Sequence, residues 1–148
     1  MRIFNLLIGT WALKRNIVDH IGKSQLTGQC QFTKISDTQI LCEEKGVLNY
    51  NGLQTEASRN YIYERREDKI FILYHDAHRR GDVLHELDFV TTHGKSVAEH
   101  CHECGRDTYH LQFQISADGH IRMDYVVKGP QKNYEMASRL IKIAIAPE

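Results

Sequence analysis

The densest concentration of reactive side chains is His100-Cys101-His102-Glu103-Cys104, followed by Asp107 and His110. Imidazole, thiolate and carboxylate groups at this spacing suit a soft or borderline metal ion, zinc first and iron second. Cys101-x-x-Cys104 has no second pair downstream, so a structural zinc ribbon is not indicated. Gly105 after Cys104 removes the covalent haem-attachment motif, and no βαβ context supports thioredoxin-like redox chemistry. The metal reading that remains draws His85 from another strand to join His102, Cys104 and Asp107, around an ion or as acid and base groups. The same segment also reads as a polar loop entering a strand at Tyr109, with Asp107 capping a turn and Cys104 buried as a small hydrophobe.

A second chemistry is anion binding. Arg59 and Tyr61 are two residues apart, so a strand carries both on one face, where a guanidinium and a phenol can grip a carboxylate or phosphate. The alternative is an outward Arg59 over a half-buried aromatic stripe. His85 shares a face with Val83, Leu87 and Phe89, as a satisfied core histidine or as a pocket group titrating near neutrality. Asp88 falls on the opposite face, so the two form no simple local dyad, and a cross-strand pairing of His85 with Asp107 or Tyr109 would favour the pocket reading. Gly129-Pro130 marks a tight turn that leaves Lys132 facing a pocket mouth or bulk water, with Tyr134 two residues on. The expected ligand-binding set is therefore Arg59, Tyr61, His85, Tyr109, Lys132 and Tyr134.

These residues need walls to hold them, and the chain supplies strands. Apolar and polar residues alternate over nine runs: 10–14, 29–34, 39–44, 58–65, 69–75, 82–90, 108–116, 120–128 and 134–143. In Tyr109-His-Leu-Gln-Phe-Gln-Ile115 the odd positions are apolar and the even ones polar, so one face is buried. Ser116-Ala-Asp-Gly119 supplies hairpin chemistry before the alternation resumes at Ile121. Helix is expected over Arg2 to Leu7 and in a short turn near Val97 to Glu99. A meander this long presents exposed edges unless it closes. The expectation is one domain, 1–148, forming an all-β, antiparallel up-and-down barrel of about 8–10 strands with a short N-terminal helix.

Nineteen basic and nineteen acidic residues cancel, which gives no global field toward nucleic acid or an anionic membrane. No stretch approaches the roughly 20 apolar residues that span a bilayer. Met1 to Ile8 lacks an export-signal pattern, so Cys30, Cys42, Cys101 and Cys104 are read as thiols in a cytoplasmic protein. Homo-oligomerisation is left open.

Gly9-Thr10-Trp11, opening the first strand, resembles the Gly-x-Trp start of lipocalin-type and fatty-acid-binding-type barrels. That likeness implies that Trp11 plugs the closed end and that Arg139 stacks on it. Further motifs are Gly28 with Phe32, Arg59-x-Tyr61, His85-x-Leu87-Asp88-Phe89, His102-x-Cys104-x-x-Asp107-x-Tyr109 and Val127-x-Gly129-Pro130-x-Lys132-x-Tyr134. With Leu7-Ile-Gly-Thr-Trp11 they make the chain similar to the bacterial domain-of-unknown-function 6314 family. The resemblance implies a calycin-like barrel and carries no established activity.

The leading expectation is a barrel that binds a small amphipathic or anionic molecule in an internal pocket with a polar cluster. The alternative is an enzyme or a metal protein, with zinc, iron or haem, that uses the His/Cys/Asp cluster.

Overall fold

Strand alternation decides which side chains enter the barrel. In the computed structural model, which describes residues 1–144, helix α1 (Arg2–Leu7) precedes eleven strands. They are β1 (Gly9–Asp19), β2 (Lys23–Lys34), β3 (Gln39–Tyr50), β4 (Leu53–Arg66), β5 (Lys69–Tyr74) and β6 (Val83–Leu87), then β7 (Val90–Thr92), β8 (Lys95–Cys104), β9 (Asp107–Ile115), β10 (Ile121–Lys128) and β11 (Asn133–Ala144). The last four residues of the expected 1–148 unit lie outside the described ones. All eleven strands form one antiparallel sheet in the order β6-β5-β4-β3-β2-β1-β11-β10-β9-β8-β7. The up-and-down topology is as expected, with β1 and β11 brought together at Thr10↔Ala144 through Asp19↔Tyr134.

The extra strands have two causes. The run 82–90 divides into β6 and the start of β7, separated by Asp88 and Phe89. The segment expected to be a polar loop with a helical turn near Val97 is instead β8, paired with β9 from Ser96↔Ile115 to Cys104↔Asp107. Its inward positions are Ser96, Ala98, His100 and His102, short or polar residues that hide the apolar alternation.

Closure also differs from a fully hydrogen-bonded ring. β6 pairs with β5, and β7 pairs with β8, so the two ends of the sheet are consecutive pieces of one chain. Between β6 and β8 there is no backbone ladder, and side chains meet across the seam instead.

At the end of the barrel that carries α1, Phe4, Leu7, Trp11, Phe113, Ile121 and Leu140 are buried. The Trp11 indole donates its Nε1–H to the carbonyl of Leu7 at 2.8 Å, which ties the plug to the helix. The cation over Trp11 is Lys142, not Arg139. Lys142 Nζ lies 4.9 Å from the ring centroid and donates to the Leu6 carbonyl at 2.7 Å. Arg139 is exposed because it pairs with Lys14 on the outer face of β1. Replacing Lys142 with Met is expected to cost about 1 kcal/mol, while Arg139→Met changes stability by less than about 0.5 kcal/mol. Thermal unfolding of the two variants checks this contrast.

Gly28 pairs with Gly46, and a Cβ at Gly28 would collide with the carbonyl oxygen of Lys45, so this glycine lets β2 and β3 approach closely. All four cysteines are free thiols. Among the described residues, no helix is long and apolar enough to cross a membrane.

Candidate functional site

The meander sends the turns after β1, β3, β5, β8 and β10 to the end opposite α1. There a cavity of about 500 Å³ opens. Inward alternation builds its wall: Arg59, Tyr61 and Tyr63 from β4, Ile72 and Tyr74 from β5, and Tyr109 from β9. Strands β10 and β11 add Met123, Tyr125, Tyr134 and Met136. Six of the chain's seven tyrosines, 61, 63, 74, 109, 125 and 134, line this one space.

The buried side of the cavity is ionic. Arg15 and Glu44 are 6% and 5% exposed. The guanidinium donates from Nη1 and Nη2 to the two carboxylate oxygens at 3.0 and 2.9 Å, and from Nε to Ser138 Oγ at 2.7 Å. Arg15 continues the inward row of Trp11 and Leu13, and Glu44 continues that of Ile40 and Cys42. Burial opposes the charge on Arg15, but the facing carboxylate outweighs it and holds the guanidinium above its ordinary pKa. Burial also raises the phenol pKa values of Tyr61, Tyr63 and Tyr125, so these hydroxyls stay neutral donors near pH 7.

The mouth is cationic. Arg59 is exposed there, beside the Tyr61 hydroxyl. Lys132 Nζ donates to the Tyr109 hydroxyl at 2.6 Å and lies 3.5 Å from Asp107. The Gly129 turn packs on the Asp107 carboxylate so closely that any side chain at 129 would strike it. Arg79 pairs with Asp76 at 3.1 Å and lies over the Tyr74 ring at 3.9 Å. Four cationic side chains, Arg15, Arg59, Arg79 and Lys132, thus face two lining carboxylates, Glu44 and Asp76.

Five of the six expected ligand residues, Arg59, Tyr61, Tyr109, Lys132 and Tyr134, meet at this cavity. His85 does not line it. It is fully buried at the β6–β8 seam, where its Nδ1 lies 2.9 Å from His100 Nδ1 and its Nε2 has no hydrogen-bond partner among the described residues. Its partner is therefore His100, not Asp107 or Tyr109: β6 faces β8 across the seam, while Asp107 and Tyr109 belong to β9, one strand further on. Nor does it titrate near neutrality. Burial, then the neighbouring His100, His102 and His110, push its pKa down to about 3.

The expected metal set is not drawn together. The His102 ring lies 6.3 Å from that of His85 and 6.0 Å from that of Tyr109. Cys104 is exposed at the end of β8, and Asp107 is engaged by Lys132. Among the described residues, the group whose donor atoms gather within 4.8 Å is Cys30, Cys42 and Glu44. Both Glu44 oxygens there serve Arg15. The Cys42 thiol is held well above its ordinary pKa by its hydrogen bond with Cys30, Sγ to Sγ 3.4 Å, and by burial.

Sequence reasoning missed Arg15, Glu44, Tyr63, Tyr74 and Tyr125, and named His100 only within the candidate metal cluster. The signal for the first two was present: each is a charged residue at an inward position of an otherwise apolar row.

A family model described as "Family of unknown function (DUF6314)" matches residues 7–142. No curated protein matches the chain. Among solved structures, Rv2717c from M. tuberculosis is similar at 10% identity and TM-score 0.68, with 96% of each chain covered. The S-type phycobiliprotein lyase CPES from Guillardia theta is similar at 11% identity and TM-score 0.61, over 99% of this chain and 93% of the other. The redesigned β-barrel mFAP1, solved bound to DFHBI, is similar at 13% identity and TM-score 0.51, over 96% of this chain and all of the other. At these identities the likeness is one of fold.

Proposed function

The chain belongs to the family of unknown function DUF6314, and on that premise we propose that it is a small-molecule-binding barrel whose cavity takes an amphipathic, anionic ligand. The observation that carries this reading is the cavity wall itself. Arg59 stands at the mouth with no carboxylate within ion-pair distance among the described residues, beside Tyr61 and across from Lys132 and Tyr109. A guanidinium, an ammonium and neutral phenols converging on one opening complement a carboxylate or phosphate. The enclosed tyrosine wall accepts the body of the molecule. Two barrels of the same fold support the reading, one solved with the small molecule DFHBI and one a phycobiliprotein lyase.

Titration with the fluorescent anion 8-anilinonaphthalene-1-sulfonate tests it. The wild-type protein is expected to bind, and Arg59→Gln to weaken binding about tenfold or more, roughly 1.4 kcal/mol, with unchanged melting. Equal affinity for both proteins would place the anion subsite away from Arg59.

A further inference from the structure

We infer that the ligand is a planar heteroaromatic acid that carries a hydrogen-bonding edge opposite its acidic group. This deepens the anionic-pocket reading and rests on it. Three observations narrow the class.

The wall is flat and aromatic more than it is aliphatic. Six tyrosines line the cavity, against four aliphatic side chains, Ile72, Leu84, Met123 and Met136. An alkyl chain would lie against phenols and leave their hydroxyls without compensation. A π-system offers stacking and edge-to-face contacts to the rings, and heteroatoms for their O–H groups.

The buried end is polar as well. Of the five N–H groups a guanidinium carries, Arg15 uses one on Ser138 and two on Glu44, and each Glu44 oxygen takes one of those two. The pair therefore keeps spare donors and spare acceptors side by side on the cavity wall, 6% and 5% exposed. A ligand reaching this wall with an apolar tail would desolvate that capacity and return nothing. An edge with adjacent donor and acceptor, as in an amino-pyrimidinone ring, satisfies both.

Lys132 at the mouth is separated along the barrel from the buried pair, since Tyr134, two residues after it, pairs with Asp19, four residues along β1 from Arg15, whereas Arg59 is the cross-strand partner of Glu44. Polar groups are thus needed at both ends of the molecule, with a flat body between. A lipid-like acid has only one polar end.

Calorimetric titration of the wild-type protein with three acids separates the possibilities: pterin-6-carboxylate, 2-naphthoate and decanoate. The first has a flat body, an acid and a donor–acceptor edge; the second lacks the edge; the third lacks the flat body. The expected order is pterin-6-carboxylate about tenfold tighter than 2-naphthoate, and 2-naphthoate about tenfold tighter than decanoate. Arg59→Gln should weaken all three. Decanoate binding as tightly as 2-naphthoate overturns the planar class while leaving the anionic pocket standing. Pterin-6-carboxylate binding no tighter than 2-naphthoate overturns the recognition of an edge by Arg15 and Glu44. If none of the three acids binds, the anionic pocket itself fails and this inference fails with it.

Discussion

Replacing Glu44 with alanine is expected to destabilise the barrel by about 3–5 kcal/mol, because it strands a charged guanidinium in the interior. Arg15 is 6% exposed, and two of its three hydrogen bonds go to Glu44. At this chain length the loss corresponds to a drop in melting temperature on the order of 10 °C. The double variant Arg15→Met/Glu44→Leu is expected to recover most of that loss, since no buried charge is left unpaired. Denaturant unfolding of Arg15→Met, of Glu44→Leu and of the double variant gives the coupling directly. Additive effects, with the double variant as unstable as the sum of the singles, would contradict a paired, desolvated ion couple. If the double variant is stable, its ligand affinity shows whether the pair serves the fold alone or also the cavity.

Acid is expected to loosen the seam. The pKa of His85 falls from an ordinary 6.5 to about 3 in the folded barrel, first because it is buried and then because other imidazoles lie near. A histidine depressed on folding binds its proton more readily in the unfolded chain. Its contribution is complete above pH 6.5 and is lost progressively as pH falls toward 3. At about 1.4 kcal/mol per unit, the loss is limited to roughly 5 kcal/mol. His100, lowered chiefly by burial as well, acts in the same direction. His85→Phe keeps a ring at the seam and removes both the proton site and the unpartnered Nε2. Its stability should decline less steeply between pH 6.5 and 3, by about one proton's slope. Wild-type and variant curves that run parallel through this window would remove His85 as the acid-sensitive group.

The sequence disclosed the barrel wherever inward positions are apolar. Runs such as Tyr109 to Ile115 and Ile121 to Val127 announce a buried face by strict alternation. β8 stayed hidden because its inward residues are small or polar: Ser96 and Ala98 fit under neighbouring side chains, and His100 and His102 occupy the seam. The cavity was legible in part. Arg59, Tyr61 and Tyr63 lie two apart on β4, so local spacing alone puts them on one face, and Lys132 lies in the turn that leads into β11 and Tyr134. Tyr74 and Tyr125 join them only because β4, β5 and β10 meet around the barrel, which no local pattern reports. Arg15 directly follows the first alternating run, 10–14, and Glu44 closes the third, 39–44. The buried ion pair continues the inward rows. His85 was rightly placed inside, but its partner depended on where the sheet stops pairing. That stop, between β6 and β8, is a property of the curled sheet as a whole.

Backbone amide chemical shifts of the isotope-labelled protein, followed during titration with 2-naphthoate, test most directly whether this barrel uses its cavity. Saturable shifts concentrated at Arg59, Tyr61, Tyr109, Lys132 and Tyr134, with α1 and the outward residues Lys14 and Arg139 unmoved, are the expected result. Shifts scattered over the outer faces of the strands, or none at concentrations that saturate the fluorescent anion, would contradict an anion-binding cavity at this end of the barrel.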